Sequence, residues 1–222
     1  MMQHRKTSQL SDRQLLTGLL ILEVNDLRWS RGLEKLLHEW QPAGVLLGER
    51  HLRDPDATAE LLGKIGRATN DPPMLAIRES GGRFSALRNF HLRVPSPRAV
   101  GRQGASASRK LGDLIGAALK LIGFNTTFGP SLDLSAPYSD LLLDDRLFSS
   151  YPEVVALCGR AFIHGLRRRG IAAAPGHFPG ISDTTTDPAT KHCVADKSMA
   201  EMWREDLIPF RKLAGELPLV VT

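Results

Sequence analysis

The sequence predicts an α/β protein, a TIM-type (β/α) barrel that is incomplete and has about six strands. Short apolar runs alternate along the chain with stretches of helical period, which is typical of a parallel sheet with helical crossovers. Long polar, glycine-rich segments follow the third, fourth and fifth runs, and in a barrel these would meet at one face. An open doubly wound sheet fits the same periodicity, although no Gly-x-Gly-x-x-Gly follows the first run.

Six apolar runs have the length and composition of buried strands, and five helical stretches separate them. The predicted strands are 19–24, 45–47, 74–77, 124–128, 171–174 and 217–221. The eight units of a complete barrel are not reached. We expect residues 1–222 to form a single domain, since 42% of them are hydrophobic and can supply one core.

The helices are predicted from their apolar faces and their end signals. The first carries Leu33, Leu36, Leu37 and Trp40 on one face, and the second begins with Asp54 as N-cap and Pro55 at its first position. The third has its apolar face between 111 and 122 and ends at Gly123, and the fourth runs from Pro152 to Gly170. The fifth is predicted as one helix over 199–213.

Composition and charge exclude several classes of function. The net charge is +5, but the densest basic cluster, 167–169, falls at a predicted helix end and has no interleaved aromatic residues, so nucleic-acid binding is disfavoured. No apolar run is long enough to cross a membrane, and two cysteines are too few for a disulfide scaffold, so we expect a cytoplasmic protein. His177, His192 and Cys193 match no zinc spacing, and no metal or other cofactor is expected.

Six segments, taken in order, resemble glycoside hydrolase family 3, most closely its cytoplasmic β-N-acetylhexosaminidases, which act in cell-wall recycling. Each segment alone is a modest match, but they occur in the family's order across nearly the whole chain. They are Ala-Ile-Arg-Glu-Ser-Gly-Gly-Arg at 76–83, Val-Pro-Ser-Pro-Arg-Ala at 94–99, the strand segment at 123–134, Asp-Arg-Leu-Phe with Tyr-Pro-Glu at 145–153, Gly-His-Phe-Pro-Gly at 176–180 and Asp-Leu-Ile-Pro-Phe at 206–210. The resemblance implies a barrel that holds an N-acetylglucosamine-containing carbohydrate at the carboxyl ends of its strands.

The resemblance also indicates that the catalytic groups are degenerate. The family's acid/base is a His that is held by an Asp two residues before it; here Asp187 remains, but Ala189 occupies the histidine's position and cannot carry a proton. The family's nucleophile lies near a seventh strand, beyond the six predicted here. A shifted register that uses His192 instead is an unfavoured alternative.

Four further positions correspond to the family's sugar-binding segments, and three of them, Arg146, His177 and Asp133, have a structural alternative. Arg78 occupies the position of an Asp that binds sugar hydroxyls, and a guanidinium cannot accept those hydrogen bonds. Arg146 either clamps a ligand or pairs with Asp144 or Asp145. His177 either binds the ligand or hydrogen-bonds within its own turn, and Asp133 is more often a loop cap than a ligand at such a strand end.

Three hypotheses of different classes therefore remain open. The first hypothesis is a residual glycosidase that uses His192 or another acid. Over this hypothesis we favour an impaired member of the family, a pseudoenzyme. The second hypothesis is a non-catalytic binder of amino sugars. The third is a truncated product, whose open barrel edges a homo-oligomer would cover.

Overall fold

The computed structural model describes residues 11–69, 71–137, 143–184 and 194–222, and within them strands and helices alternate. The main elements, in order, are α1 Asp12–Thr17, β1 Ile21–Val24, α2 Arg31–Trp40, β2 Gly44–Leu47, α3 Pro55–Ala68, β3 Met74–Arg78, α4 Pro97–Gly101, α5 Ala105–Ile122, β4 Thr126–Ser131, α6 Pro152–Arg168, β5 Ala172–Gly176, α7 Met199–Arg204 and α8 Leu207–Leu213. Short 3-10 helices lie at Glu49–Arg53, Ala86–Phe90, Asp144–Arg146 and Ala214–Glu216.

The five strands form one parallel sheet in the order β1-β2-β3-β4-β5. Each strand lies beside the one that precedes it in the chain, whereas a doubly wound sheet reverses direction at a switch point. This one-way winding is that of a (β/α) barrel and decides between the two predicted architectures. Within the described residues the barrel is not closed, because β1 has a neighbouring strand on one side only.

The predicted sixth strand at 217–221 is not a regular strand, although it does reach the sheet. The Val221 N–H donates to the Pro175 carbonyl at 2.8 Å, and the Val221 carbonyl accepts from the Phe178 N–H at 2.7 Å. These two bonds place the end of the chain beside β5. Pro218 lacks an N–H and interrupts the ladder that a full strand would need.

The first strand was predicted as buried over 19–24, and that prediction is wrong in both length and burial. The strand begins at Ile21, and in it Val24 alone is fully buried. Leu19 before it is 80% exposed. An edge strand of an open sheet has less protein around it than the central strands, which explains the exposure of these apolar side chains.

The fifth predicted helix is two helices, since the backbone at Glu205 leaves the helical region with φ −128° and ψ −84°. Pro209 cannot donate to the Glu205 carbonyl, and its ring would crowd that carbonyl in a continuous helix. In α8 the same proline falls in the first turn, where a backbone donor has no helical partner to lose.

The other helix ends agree with the sequence signals. The Asp54 carboxylate accepts from the N–H groups of Asp56 and Ala57 at the start of α3, and Pro55 follows it. Gly123 ends α5 with φ +112°. On α2 the apolar face is narrower than predicted: Leu33 and Leu37 are buried, whereas Leu36 and Trp40 are each 39% exposed.

The helices α5 and α6 pack closely because glycines lie at their crossing. A Cβ added to Gly112 would lie 2.1 Å from the Phe162 carbonyl oxygen, and one added to Gly165 would lie 2.3 Å from that of Arg109. Both helices contribute buried side chains to the hydrophobic core, among them Ile115 and Phe162. Of the two helices, α6 packs against both β4 and β5.

Candidate functional site

A cleft of about 390 Å³ opens at the carboxyl ends of β2, β3, β4 and β5, where a (β/α) barrel places its chemistry. Strand ends and the loops that follow them supply its walls. The residues that line it are Leu47, Gly48, Glu49, Ile77, Arg78, Glu79, Ser80, Gly81, Phe84, Ala86, Phe128, Gly129, Pro130, Ser131, Leu143, Arg146, Ala174, Gly176, His177 and Val221. Three of the predicted site residues, Arg78, Arg146 and His177, are thus brought together.

Asp133 lies behind the cleft wall, with a side chain that is fully buried. Its Oδ2 accepts from the backbone N–H of His177 at 3.0 Å and from the Ser131 hydroxyl at 2.7 Å. Its Oδ1 accepts from the backbone N–H of Ile181 at 3.1 Å. Asp133 therefore shapes the turn that follows β5, and it is not among the residues that line the cleft.

His177 is oriented by the same carboxylate. Its Nδ1 lies 2.8 Å from Asp133 Oδ2, and because a carboxylate only accepts, Nδ1 is the protonated donor nitrogen. The side chain is 37% exposed and lines the cleft. The Nε2 atom is consequently the ring nitrogen that a ligand in the cleft can reach.

Arg146 lies in the cleft beside the aromatic ring of Phe84. Its Nε donates to the Leu143 carbonyl at 3.1 Å, and its guanidinium carbon is 5.2 Å from the Phe84 ring centre. Asp145, one of the two carboxylates predicted as its alternative partner, instead accepts from the backbone N–H of Arg83 at 3.0 Å. The hydrogen bond from the Arg83 N–H to Asp145 stabilises this wall of the cleft. The contact between the Arg146 guanidinium and the Phe84 ring adds to it, since cations interact favourably with an aromatic face.

Glu79 organises the loop that carries Phe84, a role that the sequence analysis did not assign. Its carboxylate accepts from the Gly81 N–H at 2.6 Å and the Ser85 hydroxyl at 3.0 Å. Gly81 and Gly82 take φ values of +90° and +79°, as a tight turn requires. A glutamate two residues before a pair of glycines at a strand end is a signal that could have predicted this loop.

Burial raises the pKa of Glu79 above its ordinary value, although the hydrogen bonds from Gly81, Ser85 and Leu87 favour the charged form. The unfolded chain therefore releases this proton at lower pH than the folded chain, and stability is lost as pH rises above about 4.5. We expect wild type to lose stability relative to Glu79→Gln across this range. Urea unfolding of both proteins from pH 4.5 upward tests this, and a constant difference between them would contradict it.

Arg78 ends β3 and points to the inner side of the sheet. Its neighbour Ile77 is buried in the core, and side chains alternate along a strand. The guanidinium is 64% exposed, and its Nη1 lies 3.9 Å from a carboxylate oxygen of Glu23 on β1. Such a long, exposed ion pair contributes little to stability.

A polar cluster that no sequence pattern predicted lies beside the turn at 177–180. The Lys197 ammonium contacts the carboxylate of buried Asp206 at 2.6 Å and the Ser182 hydroxyl at 3.1 Å. Burial opposes its charge, but Asp206 and Glu205 outweigh that cost and raise the pKa of Lys197 above its ordinary value. A Cβ on Gly180 would lie 2.7 Å from that of Asp206, so this glycine lets the start of α8 reach the turn.

The remaining predicted residues, Asp187, Ala189, His192 and Cys193, lie outside the described residues. Within the described ranges, no group of three His, Cys, Asp or Glu side chains could hold a metal ion. Over the same part of the chain, no helix is long and apolar enough to cross a membrane.

The sequential winding of the sheet and the cleft at the strand ends define the (β/α)-barrel class of fold. The chain belongs to the family described as glycosyl hydrolase family 3 N terminal domain, whose model matches residues 5–221.

Its relatives include a β-hexosaminidase of Alkalilimnicola ehrlichii, which is 30% identical over 216 residues. That match covers 94% of this chain and 62% of the relative. A β-hexosaminidase of Pseudomonas aeruginosa is 30% identical over 204 residues, covering 91% of this chain and 61% of the relative. The chain thus spans about three fifths of the length of these two relatives.

Solved structures show the same fold. A glycoside hydrolase family 3 β-N-acetylglucosaminidase from Paenibacillus superposes with a TM-score of 0.89 at 28% identity, covering 95% of this chain and 41% of that one. A family 3 glycosyl hydrolase of Mycobacterium smegmatis gives 0.86 at 26% identity, covering 97% of this chain and 65% of that one. The predicted fold class and family are therefore confirmed.

Proposed function

We propose that this chain binds an N-acetylglucosamine-containing glycan in the strand-end cleft and hydrolyses glycosidic bonds slowly or not at all. The observation that carries the proposal is the placement of His177, oriented by Asp133, together with Arg146 in one cleft. The volume of about 390 Å³ lies in the range of small-ligand sites. The names of the relatives, β-hexosaminidase and β-N-acetylglucosaminidase, indicate the sugar.

The binding groups have complementary chemistry. His177 Nε2 and the Arg146 guanidinium are polar groups suited to sugar oxygens, and the exposed Phe84 ring supplies an apolar face for a pyranose. Because Asp133 holds the imidazole through Nδ1, the orientation of the ring is set before a ligand binds.

The chemical groups of the cleft support the proposal of impaired hydrolysis. A retaining glycosidase needs a nucleophile on one side of the bond that it cleaves and an acid/base on the other, and the resembled enzymes use an Asp and a His in these roles. Of the described lining residues, Glu49 and Glu79 carry carboxylates, and Glu79 is buried and occupied by its own loop. The resemblance places Ala189, which cannot transfer a proton, at the acid/base position.

We also propose a cytoplasmic role in the turnover of cell-wall sugars. Cys158 is a buried free thiol, which fits a reducing compartment.

A homo-oligomer is proposed as well, and it would form at the open edge of the sheet at β1. Sedimentation of the purified chain tests that association.

Calorimetric titration with N-acetylglucosamine tests the binding proposal. We expect saturable binding, and we expect Arg146→Ala to weaken it about 10- to 100-fold because a charged hydrogen bond is lost. Arg168→Ala is the matched control, since that arginine lies at the end of α6 outside the cleft lining. No heat at millimolar ligand, or equal affinity for both variants, would contradict the proposal.

An aryl N-acetyl-β-glucosaminide tests the catalytic part. We expect no turnover above the background rate at saturating substrate. Turnover that Asp187→Ala or His192→Ala abolishes would instead establish the residual glycosidase hypothesis.

A further inference from the structure

We propose that the glycan bound in the cleft is anionic and that its carboxylate or phosphate group binds Arg78. This inference rests on the proposed function, because it concerns the charge of the same bound sugar. It follows from where the fold places Arg78 and from the charges around it.

Arg78 is held at the cleft by the geometry of β3. Its partner across the sheet is Phe128 of β4, and both residues line the cleft. Ile77, directly before it, is 1% exposed and packs in the core, which fixes the alternation and turns Arg78 to the inner side.

The Arg78 guanidinium retains free capacity for a ligand. Among the described acidic side chains, Glu23 is the one within ion-pair distance, at 3.9 Å through a single nitrogen. Both side chains are more than half exposed, so water screens this pair and a ligand can compete with it. A guanidinium carries five N–H donors and no acceptor, so it suits an anion and cannot accept from neutral sugar hydroxyls.

The cleft lining contains a second arginine besides Arg78. Arg146 also lines the cleft, and the Arg83 guanidinium lies 4.7 Å from the Phe84 ring centre at its wall. Of the two carboxylates among the described lining residues, Glu79 accepts from the Gly81 N–H and the Ser85 hydroxyl, and Glu49 is exposed. An anionic group at Arg78 would therefore share the cleft with a second guanidinium, that of Arg146.

Calorimetry of the whole chain with three sugars tests the inference: neutral N-acetylglucosamine, N-acetylglucosamine 6-phosphate and glucuronic acid. We expect at least one anionic sugar to bind about tenfold or more tightly than the neutral one, since charged hydrogen bonds are the stronger ones. The two anionic arms distinguish phosphate from carboxylate. We expect the preference to decrease as the salt concentration rises, because the guanidinium is exposed.

Variants assign the preference to Arg78. Arg78→Gln is expected to lower the affinity for the anionic sugars much more than the affinity for the neutral sugar, and Arg78→Lys is expected to keep part of the preference for the anionic sugars. Arg168→Ala is the control for net charge, and a thermal melt of each variant verifies folding. Equal affinity for all three sugars, with neutral binding still dependent on Arg146, would overturn this inference alone. An absence of binding for every sugar would overturn the proposed function with it.

Discussion

Replacing Asp133 by alanine is expected to lower the free energy of unfolding by about 3–5 kcal/mol, because several buried donors lose their acceptor together. The carboxylate accepts from the Ser131 hydroxyl, from the backbone N–H groups of His177 and Ile181, and from His177 Nδ1. These groups join the end of β4 to the turn after β5. Loss of the Asp133 carboxylate would therefore detach the turn that carries His177 from the end of β4.

Thermal unfolding measures this effect, and for a chain of this size we expect the midpoint to fall by about 2–4 °C for each kcal/mol. Asp133→Asn should cost less, since one oxygen can still face the donors from Ser131 and His177. The control is Asp56→Ala, an exposed aspartate in the first turn of α3, which should change stability by about 0.5 kcal/mol or less. Similar melts for Asp133→Ala and Asp56→Ala would show that the buried carboxylate does not hold the turn.

Replacing Gly165 by alanine is expected to destabilise the protein by about 3 kcal/mol, since the added methyl group has no space at the crossing of two helices. Its Cβ would lie 2.3 Å from the Arg109 carbonyl oxygen and 2.6 Å from the Asp113 backbone nitrogen. Both are backbone atoms, which cannot turn aside as a flexible side chain would. Relief of the overlap requires α5 and α6 to separate.

Gly66→Ala on α3 makes the same chemical change and is expected to have the opposite effect on stability. No atom lies within 4 Å of a Cβ built there, so alanine should stabilise the helix by about 0.5–1 kcal/mol. Urea unfolding of both variants gives the comparison. A Gly165→Ala protein as stable as Gly66→Ala would show that the two helices do not cross this closely.

The sequence was most informative where local chemistry determines structure. The start of α3 was predicted because Asp54 caps it and Pro55 cannot donate, and the end of α5 because Gly123 takes a positive φ. The prediction of one long helix over 199–213 was wrong, because two local signals competed there. The apolar period continues through Pro209, but the proline ends the first helix at Glu205.

The candidate site was partly predictable for the same reason. Arg78, Arg146 and His177 follow strands or their loops, and the strands of a parallel sheet deliver such residues to one edge. The role of Glu79 in ordering its loop was not predicted. The contact between Lys197 and Asp206 joins residues on different elements, so no local pattern reports it.

The sequence by itself determined the alternation of strands and helices, the glycine and proline ends of the helices, and the family to which the chain belongs. Those properties depend on the periodicity of neighbouring residues and on short motifs. The tertiary structure alone decided the one-way winding of the sheet, the burial of Asp133 behind His177 and the placement of Arg78 in the cleft with Arg146. Each of these depends on which distant segments pack together, and that is determined by the free energy of the whole fold rather than by any local stretch of sequence.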